Sequence, residues 1–115
     1  MPPRDEAALL DIAKAARAVL CLVQHLNQEA FLSDLTTHLA ILGQLVSIGA
    51  AVKRLSPEFR ALHPRTPWSL FAGMHDQLTQ CRVELHWREI CKTVTTDVPG
   101  LLSQIEPLLP KETAE

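Results

Sequence analysis

Apolar residues recur at every third or fourth position along nearly the whole chain, which is the period of one face of an α-helix. Between Arg4 and Leu26 the stripe is Leu9, Ile12, Ala16, Leu20, Val23 and Leu26, while Arg4, Asp11, Lys14 and Arg17 fall off it. Asp5 and Glu6 occupy the first turn, where the helix dipole favours negative charge. Asn27 reads as the stop, opening a short turn through Ala30, Phe31 and Leu32. Asp34 is placed to cap a second helix over 35–55, because its carboxylate can accept from the free N–H groups of the first turn. The apolar set of that helix (Leu35, Leu39, Leu42, Leu45, Val46, Ile48, Val52, Leu55) is wide enough for burial on two sides. Its interior glycines, Gly43 and Gly49, each cost about 1 kcal/mol relative to alanine, so a close neighbour is expected at them.

Ser56-Pro57-Glu58 pairs an N-cap residue with proline at the first helical position and opens a short turn to Leu62, followed by the loop His63-Pro64-Arg65. Thr66-Pro67 repeats the signal ahead of a third long helix with Leu70, Phe71, Met74 and Leu78 on its stripe. A fourth runs from about Leu85 through Trp87, Ile90, Cys91, Val94 and Val98 and ends near Pro99-Gly100. The apolar phase shifts between these two, which predicts a break over 81–85, although no glycine, proline or asparagine there enforces it. Residues 101–109 form a short last helix. No segment alternates with period two, so the expected fold is all-α: an antiparallel four-helix bundle with short extra helical turns.

A chain of 115 residues, 47% hydrophobic with net charge −2, has the size and composition of one domain that buries its own core. The bundle is expected over 4–109, with a polar tail over 110–115. The longest purely apolar run, residues 18–23, has six residues against the roughly 20 of a membrane span, so no membrane partner is expected. Met1-Pro2-Pro3-Arg4 lacks the layout of a signal peptide. Three widely spaced cysteines, Cys21, Cys81 and Cys91, suit a reducing cytoplasm better than a disulfide framework. Charge is uneven: residues 53–92 carry seven Lys or Arg against four Asp or Glu, whereas 1–52 carry three against five. A phosphate-bearing partner would prefer that middle segment, and Lys53, Arg54, Arg60 and Arg65 are its candidate RNA contacts. A solvated helix end explains Lys53 and Arg54 equally well, since cations are favoured in a last turn.

Three blocks are distinctive: Ile48-Gly49-Ala50-Ala51-Val52-Lys53-Arg54-Leu55-Ser56-Pro57-Glu58; His63-Pro64-Arg65-Thr66-Pro67-Trp68 leading into Phe71-Ala72-Gly73-Met74; and Thr93-Val94-Thr95-Thr96-Asp97-Val98-Pro99. Together they resemble the HepT-like family of the HEPN superfamily over roughly residues 8–109. The resemblance implies a small helical bundle that forms a homodimer, with toxin–antitoxin ancestry and an MntA-like nucleotidyltransferase as antitoxin partner. It also implies a metal-independent ribonuclease motif directly after Gly73-Met74: arginine, four residues, histidine, one residue, tyrosine. Here those positions hold His75, Gln80 and Arg82. RNA cleavage without metal needs a proton acceptor for the 2′-hydroxyl, a proton donor for the leaving oxygen and a cation on the phosphate. Glutamine titrates at no accessible pH, and the chain contains no tyrosine for an antitoxin to nucleotidylate. Gly43, Val46 and Ala50 stand where many relatives carry polar or acidic residues facing the cleft, and only Gln44 stays amide-like. Glu84 and His86 replace the usual turn glycine and capping aspartate of the fourth helix.

His75, Asp76 and Arg82 could rebuild an acid–base site, with His75 and Arg82 on one face if the helix continues. A lone histidine is more often an ordinary half-exposed interface residue. Cys81, His86 and Cys91 are spaced five apart, so helical neighbours diverge by about 140° and do not share a face; buried apolar cysteine accounts for them better than zinc. Trp68 and Trp87 read as packing anchors. No cofactor and no metal is called for. The leading expectation is a catalytically diverged HepT-like protein acting through protein contacts. The alternatives are a working endoribonuclease using His75 and Arg82 across the dimer cleft, and a module that binds RNA or nucleotide without cutting it.

Overall fold

The computed structural model describes residues 2–24, 26, 29, 33–80 and 87–110, and all regular structure among them is helical. Helix α1 spans Pro3–Val23, α2 Leu35–Arg54, α3 Pro57–Leu62 and α4 Trp68–Gln80. Helix α5, Trp87–Lys92, continues without interruption through a π-helical turn, Thr93–Asp97, into α6, Val98–Ile105, and a closing 3₁₀ turn, Glu106–Leu108. The four long elements are therefore α1, α2, α4 and this C-terminal rod. The expected turn over 30–32 and the break over 81–85 lie outside the described residues.

Local chemistry sets the starts of these helices. Pro3 opens α1, with the N–H groups of Asp5 and Glu6 donating to the Pro2 carbonyl. Asp34 caps α2 as expected: its carboxylate accepts from Thr36 N at 3.1 Å and from Thr37 Oγ1 at 2.6 Å. These hydrogen bonds, that from the Thr37 hydroxyl foremost, hold the carboxyl below its usual range. Ser56 Oγ accepts from Phe59 N at 3.1 Å and caps α3.

Helix α2 packs between α1 and α4, and α1 also packs against the C-terminal rod. Leu9, Ile12 and Val19 of α1 meet Ile41, Leu45, Ile48 and Val52 of α2, Phe71 of α4, and Val94, Val98, Leu101 and Ile105 of the rod in one buried core. Each such side chain removed from water contributes roughly 1.5–3 kcal/mol. By length and composition alone α2 would suffice to cross a bilayer. Its glycines, serine, threonines and histidine dilute the apolar residues without adding charge, so a count of uninterrupted apolar residues understates it. In this fold the same apolar content serves a central helix.

Two boundaries and one buried face differ from expectation. Helix α1 stops at Val23 rather than Leu26. The stripe of α4 rotates: Trp68 and Phe71 are buried, whereas Leu70 is exposed, because it lies about 100° round the helix from Phe71. Pro99-Gly100 does not end the last long helix. The wide turn before it replaces i→i−4 bonding, with Val98 N–H donating to the Thr93 carbonyl, so the chain passes the proline, which has no N–H to donate. Threonine hydroxyls donate to carbonyls nearby, Thr95 Oγ1 to Cys91 O at 2.7 Å and Thr93 Oγ1 to Glu89 O at 3.1 Å.

Candidate functional site

The inward stripe of α4 carries His75 between Phe71 and Leu78, opposite Gly49 of α2. A β-carbon placed on Gly49 would lie 2.6 Å from the Phe71 carbonyl oxygen and closer still to the β-carbon of His75. Glycine is therefore what lets the two helices touch at this level, and the contact sets where the imidazole stands. His75 is half-buried, with its side chain 21% exposed and Nδ1 3.4 Å from Asp76 Oδ1. Lys53, in the last turn of α2, donates to the same carboxylate oxygen. That ammonium first, and the His75 ring second, hold the Asp76 carboxyl below its ordinary value. Gly49, Lys53, His75 and Asp76 thus form one cluster where α2 meets α4: an imidazole beside a carboxylate that is itself tied to an ammonium.

Gln80 is not part of it. It is exposed at the end of α4 and lies about 140° round the helix from His75. Arg82 falls outside the described residues, as do Cys81, Glu84 and His86. Among the described residues no three His, Cys, Asp or Glu side chains gather to hold a metal ion.

The four basic residues expected to contact RNA have different surroundings. Lys53 is paired with Asp76 on α4, and Arg54 with Asp11 on α1. Arg4 Nε also donates to the Arg54 carbonyl at 2.6 Å, so these consecutive cations tie the end of α2 to the helices on either side of it. Arg60 is half-buried, and its enclosed Nε has no hydrogen-bond partner among the described residues. Arg65 is exposed on the loop before α4.

Two clefts accompany these residues. One, of about 370 Å³ between α1 and α2, is lined by Asp11, Lys14, Gln44, Ser47 and Arg54 over a floor of alanines. The other, of about 510 Å³, lies between the 62–66 loop and residues 103–107.

One arrangement had no signal in the linear pattern. Asp5, read as a dipole residue, is fully buried and accepts from Ser56 N and Ser56 Oγ, both at 2.8 Å. It joins the start of α1 to the cap of α3, 51 residues away.

Residues 11–108 match the family model described as ribonuclease HepT-like. The chain belongs to that family. HepT-like relatives include a protein of Thermococcus cleftensis named "Probable ribonuclease HepT", 35% identical over 87% of this chain and 91% of its own length. A protein of Caldanaerobacter subterraneus subsp. tengcongensis named as an RNase is 36% identical over 78% of this chain and 80% of its own length. Another protein so named, from Methanocaldococcus jannaschii, is 29% identical over 95% of this chain and 91% of its own length. No solved structure matches the chain. The resemblance drawn from the three sequence blocks is thus confirmed at the level of the HepT-like ribonuclease family.

Proposed function

We propose that this HepT-like protein has lost the RNA-cleaving chemistry of its family and acts through protein contacts, as a homodimer and with a nucleotidyltransferase of the MntA kind. The observation that carries this reading is Gln80. At the motif position where the family resemblance puts a proton-carrying histidine, α4 presents an exposed amide. An amide neither accepts a 2′-hydroxyl proton nor donates one to a leaving oxygen at any working pH. The cation that shares the Asp76 carboxylate with His75 points the same way, because Lys53 is already paired there. The exposed side of α2 supports the dimer. Leu35 and Leu39 are 66% and 62% exposed, and with half-buried Leu42 and Val46 they form an apolar stripe of the kind that a second copy covers in a two-fold interface.

A second reading, an endoribonuclease using His75 and Arg82 across the dimer cleft, is favoured by one contact. Asp76 stands 3.4 Å from His75 Nδ1, as a carboxylate does when it orients an imidazole for proton transfer. The two readings separate on incubation of purified protein with RNA in EDTA. Intact RNA, with a dimer in light scattering, is expected. Cleavage that His75→Ala abolishes would overturn the diverged reading in favour of the nuclease. Salt-sensitive RNA binding without cleavage would replace both with a binding module.

A further inference from the structure

The cleft between the 62–66 loop and residues 103–107 is lined by a guanidinium, an imidazole and the polar side chains of Ser103 and Gln104. Among the described residues that line it, Arg65 and His63 are the charged or titratable groups and none is a carboxylate. Glu106, the one acidic residue in 103–107, is instead engaged with Arg17 at 3.4 Å. The loop is braced from behind. Trp68 Nε1 donates to the His63 carbonyl at 3.0 Å, Thr66 N donates to the same oxygen at 3.2 Å, and the His63 ring packs on Phe59 with centroids 4.7 Å apart. The imidazole therefore stands on a preorganised support, so less ordering entropy would be lost on binding. The side chains of Arg65, Ser103 and Gln104 make no hydrogen bond to any described residue and are exposed around the one cavity. Leu62, 74% exposed, with exposed Pro64 and Pro107, gives the cleft an apolar rim.

We propose that this cleft is a binding site for a phosphate monoester, held by Arg65 and His63 with donors from Ser103 and Gln104, while the apolar rim takes the group that bears the phosphate. Guanidinium matches a dianionic phosphate in shape as well as charge. The volume of about 510 Å³ is within the range of small-molecule sites. Gln80 lies about 18 Å further along the axis of α4 from the helix start beside this loop, so the site is separate from the motif positions. It holds whether or not the protein cleaves RNA.

Isothermal titration calorimetry of the full chain tests this with inorganic phosphate, AMP, and one RNA oligonucleotide prepared with and without a 5′-phosphate. At least one phosphate-bearing probe is expected to bind. Arg65→Ala should weaken it tenfold or more, Arg65→Lys should retain part of it, and Lys92→Ala should leave it unchanged. AMP binding tighter than phosphate shows the rim in use, equal affinity shows that phosphate alone is read, and preference for the 5′-phosphorylated RNA identifies a strand end as its source. Because Arg65 is exposed and makes no hydrogen bond to any described residue, its variants should keep the wild-type melting temperature. Failure of every phosphate-bearing probe to bind at millimolar concentration, or wild-type affinity in Arg65→Ala, overturns the proposal.

Discussion

Gly49 on α2 and His75 on α4 stand so close that a β-carbon on the first has no room beside the β-carbon of the second. Two helices approach backbone to backbone there, and the half-buried imidazole beside Asp76 owes its position to a missing side chain.

Gly49→Ala is therefore expected to destabilise the fold. The added methyl gains about 1 kcal/mol of helix propensity but meets the Phe71 carbonyl at 2.6 Å, a backbone atom that cannot rotate away. Overpacking of this kind costs about 1–3 kcal/mol, so a net loss should appear as a lower urea midpoint. Gly43, six residues earlier on the same helix, has nothing within 4 Å of such a methyl. Gly43→Ala should accordingly stabilise by about 0.5–1 kcal/mol. If both variants shift the midpoint in the same direction, the close approach of α2 and α4 is wrong.

The Asp76 pair predicts an acid-sensitive contribution to stability. Contact with Lys53 and then His75 lowers the carboxyl below 3.8 in the folded chain, so the folded state binds the proton more weakly than the unfolded state does. The contribution is complete above the unfolded value and is lost as pH falls through the lower folded one. Wild type should exceed Asp76→Asn in urea midpoint at pH 7, and the gap should close as pH drops below about 4. A gap that stays constant down to pH 2.5 would contradict the assignment.

Asp5→Ala removes the acceptor for two donors of Ser56 at a buried site. Leaving such donors unpaired costs about 1–3 kcal/mol, and the cap of α3 loosens with them. Thermal denaturation of Asp5→Ala against Glu6→Ala, its less buried neighbour, should show the larger loss in the former.

Leu39→Glu tests the apolar stripe. The side chain is 62% exposed, so the helical circular dichroism of the protomer should persist while the proposed dimer dissociates. A dimer that survives this change at micromolar concentration would mean that another face makes the contact.

Most helix starts were legible in the chain because their causes are local. Asp34 and Ser56 cap, and Pro3 and Pro57 open, through bonds to residues two to four positions away. From sequence the last long helix reads as two, because a proline and a glycine together ordinarily end a helix, and only the π turn ahead of them shows how it passes. The family was legible in three blocks of sequence, and so was the amide at position 80. The pairing of Lys53 with Asp76 and of Arg54 with Asp11 was not. Two adjacent cations in a last turn look alike until the helices on either side are in place.

Local periodicity and capping thus dictated which segments coil and which faces are apolar, since those depend on neighbours along the chain. Distinguishing Gly49 from Gly43, burying Asp5, and gathering His63 and Arg65 with residues some 40 positions later required the packed molecule. Those properties depend on which backbone arrives across the gap, and no stretch of sequence carries that information alone.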